Sequence, residues 1–155
     1  MTSFLLAALV TLLAVGPARQ AAPAFKARSL DGTVFTNESL KGRVVLIQFW
    51  TTWCGFCRRE QPAVEDVLET FGDRGLVVLA VSVGESRKTV ERYLAESPRS
   101  PKIVLNEHTN LPALFGVRGF PHYVVIDRDG KLAGEQKGAG GPAALRRLLA
   151  QAGIG

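Results

Sequence analysis

The chain has 155 residues, 46% hydrophobic and 21% charged, which is the size and balance of one folded domain and excludes a disordered chain or a coiled coil. Nineteen Lys and Arg against fourteen Asp and Glu leave a formal charge of +5, but the basic residues meet only in the doublets Arg58-Arg59, Arg87-Lys88 and Arg146-Arg147, so no nucleic acid partner is implied. The two cysteines, Cys54 and Cys57, are too few for a disulfide framework and confine thiol chemistry to a single C-x-x-C pair.

At the N-terminus, Phe4 to Val15 is apolar apart from Thr11. It is shorter than the ~20 residues of a spanning helix and has the length of a signal-peptide core. Gly16-Pro17 stops it, and the pairs Gly16/Ala18 and Ala22/Ala24 offer two small-x-small cleavage sites. Met1-Thr2-Ser3 departs from an ordinary export signal in having no Lys or Arg. Residues 1–24 therefore read as a signal peptide or a short N-terminal anchor with a linker, and 25–155 as the folded domain. A buried helix of the domain is the bland alternative for the apolar run. No cysteine follows that run, which excludes lipidation there. The expected location is periplasmic or otherwise extracytoplasmic, with transient membrane association through an uncleaved N-terminus, and an oxidising space suits a C-x-x-C protein.

Phe25 to Ser29 and Thr33 to Thr36 flank Asp31-Gly32 and predict a hairpin. Val44 to Phe49 is a continuous apolar run that predicts a strand buried on both faces. From Cys57 to Phe71, Ala63, Val64, Val67, Leu68 and Phe71 recur at helical spacing, with Glu60, Glu65, Asp66 and Glu69 mostly on the other side. This predicts an amphipathic helix starting at the cysteines and kinked at Pro62. Leu76 to Val83 predicts a second buried strand, and Ser86 caps a helix through Val90, Tyr93 and Leu94. A short strand, Ile103 to Leu105, and a short helix near Asn110 to Phe115 come next. His122 to Asp127 and Lys131 to Lys137 then form strands around the turn Asp127-Arg128-Asp129-Gly130, and Pro142 opens a final helix marked by Leu145, Leu148 and Leu149. The order predicts an α/β fold, a sheet flanked by helices with a hairpin at one end.

A C-x-x-C at a helix start has a specific chemical use. Cys54 meets the free N–H groups and positive dipole end that stabilise a thiolate, and Cys57, one turn inward, is placed to attack a mixed disulfide on Cys54. Arg58 and Arg59 add positive charge in the first turn. A structural zinc site needs four ligands, and His108 and His122 lack the spacing to complete one, so no metal is expected. Two buried, inert structural cysteines remain the bland alternative.

The segment Phe49-Trp50-Thr51-Thr52-Trp53-Cys54-Gly55-Phe56-Cys57-Arg58-Arg59-Glu60-Gln61-Pro62 resembles the active-site segment of the thioredoxin-fold TlpA/ResA-like (redoxin) family of exported thiol-disulfide oxidoreductases. Val81 to Ser86, Gly119-Phe120-Pro121 and Ile126 to Lys131 resemble that family's later landmarks in the same order, so the likeness runs from about Phe25 to Gln151. It implies a thioredoxin fold, with a central mixed sheet flanked by helices, a small helix-strand insert and an N-terminal hairpin. It also implies a protein-disulfide reductase, with cytochrome c maturation as the pathway, protein disulfide or thiol substrates, a membrane thiol electron donor and no cofactor.

By position, the resemblance makes Cys54 the nucleophile, Cys57 the resolving thiol and Pro121 a cis-proline facing them, with the Phe120 backbone pairing with an extended substrate segment. Trp53 would flank the disulfide and Trp50 would pack beneath it. Glu60 coincides with an acidic residue that ResA-like proteins place near the pair, where it can relay protons; its alternative is a first-turn acid on an exposed helix face. Gln48 stands where thioredoxin has a buried aspartate, and a carboxamide is no general base. Two positions depart from the family. Phe56 replaces the usual proline and adds an exposed ring, and His122 follows Pro121, where its imidazole is expected either to approach Cys54 or to stand half-exposed on its strand. The rivals are a disulfide-forming oxidant of the same fold and, from another class, a Cu(I)-binding module built on Cys54, Cys57 and His122. A peroxidase is weaker, because no threonine and arginine surround a single thiol.

Overall fold

Burial decides the central strand, because every residue from Val44 to Trp50 is shielded and no polar alternation interrupts the run. In the computed structural model, which describes residues 18–155, this strand is β3 of a seven-stranded sheet. The Phe4 to Val15 run and Gly16-Pro17 lie outside the described residues. The elements in chain order are β1 (Lys26–Ser29), β2 (Val34–Thr36), β3 (Val44–Trp50), α1 (Gly55–Phe71), β4 (Leu76–Ser82), α2 (Arg87–Glu96), β5 (Lys102–Thr109), α3 (Leu111–Leu114), β6 (His122–Ile126), β7 (Leu132–Lys137) and α4 (Gly141–Ala150).

The sheet order is β2-β1-β5-β4-β3-β6-β7. β3, β4 and β5 run parallel, and every other pairing is antiparallel, so the sheet is mixed as expected. The hairpin β1-β2 forms one edge and β6-β7 the other. The insert expected after α2 is β5 with α3, and this strand is longer than its apolar core Ile103 to Leu105. Its polar end, Asn106 to Thr109, is held by antiparallel pairing of Thr109 with Ala27, a partner that local pattern does not reveal.

Alternate residues of β3 feed opposite cores. Val44 and Leu46 pack with α1 and α4 through Val64, Val67, Leu145 and Leu149. Val45, Ile47 and Phe49 pack on the other face with Phe25, Phe35 and Leu111. Trp50 belongs to a third cluster, with Cys54, Cys57, Ala80, Val90 and Leu105. Gly134 of β7 lets α4 close onto the sheet, since a Cβ there would lie 2.7 Å from Leu148 Cδ1.

Residues 19–24, expected as a linker, lie against the β6-β7 turn. Ala21 bridges Lys131, Ala22 N–H donates to Gly130 O at 2.9 Å, and Leu132 N–H donates to Gln20 O at 2.8 Å. The Arg19 guanidinium donates to the Asp127 carboxylate at 3.2 Å and to Gln151 O at 2.6 Å.

Candidate active site

The carboxyl end of β3 delivers the chain into the turn Thr51-Thr52-Trp53, and Cys54 becomes the N-cap of α1 in extended conformation. Its Sγ accepts the Cys57 N–H at 3.0 Å, taking one of the donors a helix start leaves unpaired. Cys54 and Cys57 are joined as a disulfide with Cα atoms 5.2 Å apart. The helix begins at Gly55, two residues before the predicted start, and runs through Pro62 to Phe71.

Both cysteines are buried (5% and 4% exposed), whereas their neighbours Trp53 and Phe56 are 69% and 58% exposed. The disulfide thus sits in a recess with an aromatic rim. Trp53 meets Phe120 edge-on with ring centres 6.0 Å apart, and the Arg59 guanidinium stacks 4.5 Å from the Phe56 ring. Arg58 turns back to donate twice to Thr52 O, at 3.0 and 2.6 Å.

The approach loop is pinned by Glu85, which falls inside the Val81 to Ser86 motif but takes no role from the sequence. Its carboxylate accepts from Thr52 N–H at 2.9 Å, from Thr52 Oγ1 at 2.5 Å and from Ser82 Oγ at 2.9 Å. The available signal was topological: a polar loop after β4 must lie beside the loop after its parallel neighbour β3, where Trp50 pairs with Ser82.

The Phe120–Pro121 peptide bond is cis, and Phe120 packs against the cluster containing both cysteines. Pro121 O accepts the Gly138 N–H at 2.8 Å. His122 is not half-exposed. It is buried at 2% exposure on the face of Phe49, with ring centres 5.4 Å apart, and its Nε2 lies 2.6 Å from Glu135 Oε1. The pairing of His122 with Phe49 fixes that orientation, because Phe49 and Trp50 point to opposite sides of the sheet. His122 therefore does not converge with the cysteines, and no group of three His, Cys, Asp or Glu side chains suited to a metal occurs among the described residues.

Glu60 also departs from its expected exposed-face alternative: it is buried at 4% exposure. The N-cap of α4, Gly140, has no side chain to cap the helix, and Glu60 substitutes from α1, its Oε1 accepting the Gly141 N–H at 2.6 Å. Its Oε2 accepts the Tyr123 hydroxyl at 3.0 Å. Tyr123 in turn accepts from the Gln48 amide at 3.3 Å, and Gln48 Oε1 accepts from Arg99 at 2.6 Å. The donors all run one way, from Arg99 toward Glu60.

Arg99 lies under the site, 4.7 Å from the centre of the Trp50 ring. Burial lowers its guanidinium below the ordinary arginine value, opposed by the charge of Glu65. Burial likewise pushes the Tyr123 phenol above its ordinary value, helped by the charge and hydrogen bond of Glu60. Arg99 Nε, Trp50 Nε1 and Thr51 Oγ1 are buried without partners, so polar atoms are left unsatisfied at this end of the sheet.

Known proteins agree with this architecture. A family model described as AhpC/TSA family matches residues 18–134. The thiol-disulfide oxidoreductase ResA of Geobacillus thermodenitrificans (strain NG80-2) is 31% identical over 122 residues, covering 79% of this chain and 68% of that one. A protein of the same name from Bacillus cereus is 27% identical over 111 residues, covering 72% of this chain and 64% of its own length. The chain thus spans about two thirds of these curated relatives. Among solved structures, a thiol:disulfide interchange protein of the thioredoxin family from Chlorobium tepidum TLS is 27% identical with a TM-score of 0.77, covering 89% of this chain and 99% of that one. The fold is the thioredoxin fold.

Proposed function

The chain belongs to the AhpC/TSA family and to the thiol-disulfide oxidoreductases of the ResA type within it, and we propose that it works outside the cytoplasm, reducing the disulfides of selected partner proteins in a pathway of the cytochrome c maturation kind. The observation that carries this reading is the recessed pair at the start of α1, with Cys54 at the cap and Cys57 one turn inward.

In the proposed reaction, the Cys54 thiolate attacks one sulfur of the partner's disulfide. That S–S bond breaks, and the far sulfur leaves as a thiolate that takes up a proton. Cys57, deprotonated, then attacks Cys54 Sγ. The mixed disulfide breaks, the second partner sulfur leaves and is protonated, and Cys54–Cys57 closes as a disulfide. The partner gains two electrons and two protons, and a membrane thiol donor restores the pair. The sequence carries no flavin or nicotinamide fingerprint, so the exchange is assigned to thiols alone.

Glu60 is assigned the Cys57 proton. It stands three residues along the same buried helix face, which makes the two side chains neighbours. Phe120 and Pro121 are assigned the partner's backbone: Phe120 makes none of the loop backbone bonds among the described residues, leaving an edge for an added strand. Trp53 and Phe56 are assigned its side chains. Residues 1–24 are assigned to delivery and the remainder to the catalytic domain. Of the two cleavage sites, the one after Ala18 retains the Arg19 bonds to Asp127 and Gln151.

Cys57→Ser is expected to accumulate mixed disulfides on Cys54, and equal trapping by Cys54→Ser would reverse the two roles. Equilibration with glutathione tests the direction: a potential near the ~−120 mV of strong oxidants overturns reduction in favour of disulfide formation. Sequencing the N-terminus of cell-derived protein tests export, which an intact Met1 in a cytosolic fraction would sink.

A further inference from the structure

The charges around the disulfide are unequal in how they are used. Two acids at this end of the sheet are turned into the fold, Glu60 onto Tyr123 and Gly141 and Glu85 onto Thr52 and Ser82, while Glu135 is exposed and bonds His122. Two cations of the same surface are not turned in. Arg59 is exposed and only stacks on Phe56, and Arg118 is exposed. Neither joins an ion pair among the described residues. Lys137 is 75% exposed, and its only ionic neighbour among the described residues is Glu135 at 3.9 Å, whose same oxygen already holds His122 at 2.6 Å.

Arg118 and Lys137 both line a hollow of about 340 Å³. Its walls include Phe120 and Gly138, and His122 lies in its lining. Phe120 is also the ring that Trp53 meets edge-on, so the hollow continues from the aromatic rim of the redox pair. A strand laid along the Phe120 backbone would run beside Arg118, which joins no ion pair among the described residues, and Lys137, whose partner Glu135 is already held more closely by His122.

We propose that this hollow is a docking subsite for an acidic segment of the partner protein, so that the protein selects disulfides flanked by Asp or Glu side chains. The proposal rests on the exchange reaction above and names its substrate class. Fixed positive charge at the rim of a recess steers oppositely charged partners and disfavours like-charged ones, through association rate more than through final affinity. Salt should therefore erase the preference once the Debye length falls below the spacing of the charges.

The test uses the reduced full-length chain and two synthetic peptides of equal length, each with one disulfide, flanked in one by Asp and Glu and in the other by Lys. Rates of disulfide exchange are followed by stopped-flow fluorescence. The acidic peptide is expected to react about tenfold faster at low ionic strength, with the ratio falling toward one at about 0.5 M salt. In the double variant Arg118→Gln/Lys137→Gln, whose sites are exposed and leave the core intact, the ratio at low salt should fall to about twofold or less. Equal rates for the wild-type chain, or a ratio that the double variant leaves unchanged, overturns the acidic preference alone. Exchange with neither peptide overturns both this subsite and the oxidoreductase reading beneath it.

Discussion

The two ends of the sheet surface under α1 are built by opposite rules. At the amino end of β3, Val44 and Leu46 meet Val64, Val67, Leu145 and Leu149 in a dry core. At the carboxyl end, Gln48 of β3, Glu60 of α1, Tyr123 of β6 and the half-buried Arg99 of the loop before β5 form a hydrogen-bonded chain beside Trp50 and the cysteines. The dry end gains free energy from every methylene it hides. The polar end gives up part of that gain, because each buried group must be desolvated and some remain unpaired. The polar chain thus lies beside the disulfide, and the apolar contacts of Val44 and Leu46 at the other end of the strand.

That contrast can be broken most directly at the dry end. Leu46→Ala is expected to cost about 3 kcal/mol in denaturant unfolding while leaving the glutathione redox equilibrium in place. A redox shift as large as that of a polar-end variant would show that the ends are not independent. Tyr123→Phe keeps the ring but strands Glu60 and Gln48; we expect a loss of about 2 kcal/mol together with a changed pH profile of Cys57 reactivity. Arg99→Met removes a half-buried cation and the donor of Gln48 Oε1 while keeping apolar volume over Trp50. Its unfolding free energy should fall by about 1 kcal/mol, since Gln48 Oε1 loses its donor while the apolar cover of Trp50 is kept.

The smallest effect belongs to Asp127, at the β6-β7 turn. Burial pushes its carboxyl up, but the Lys131 and Asp129 N–H groups and Arg19 outweigh this and hold it below its ordinary value of 3.8. A carboxylate held lower in the fold stabilises it fully above that ordinary value, and the contribution is lost as pH falls through the folded value. Asp127→Asn should therefore be less stable than the parent at pH 7, and the gap should narrow in acid unfolding below pH 3.8. A gap that widens in acid would reverse the sign.

Much of the molecule is visible in local pattern. The apolar run of β3, the helical spacing of Val64, Val67 and Phe71, and the turn signals at Asp31-Gly32 and Asp129-Gly130 need no distant partner, and the structure has these elements where the pattern puts them. The redox pair at a helix start is equally local. Glu60 shows where such reading stops. By its chemistry it belongs to the polar side of α1, yet it faces inward because Gly141, 81 residues away, presents an uncapped N–H, and Tyr123, 63 residues away, presents a hydroxyl. His122 turns from the cysteines for a similar reason, its strand register with Phe49 committing it to the opposite face, where Glu135 meets it.

From the sequence alone come the order of the elements, the single reactive C-x-x-C and the family likeness, because hydrophobic period, turn chemistry and short motifs act over a few neighbouring residues. Which acids are spent inside and which cations stay free around the disulfide was set in three dimensions. Hydrogen-bond satisfaction and strand register join groups far apart in the chain, and a carboxylate finds its partner only when the helices and strands that carry both have packed.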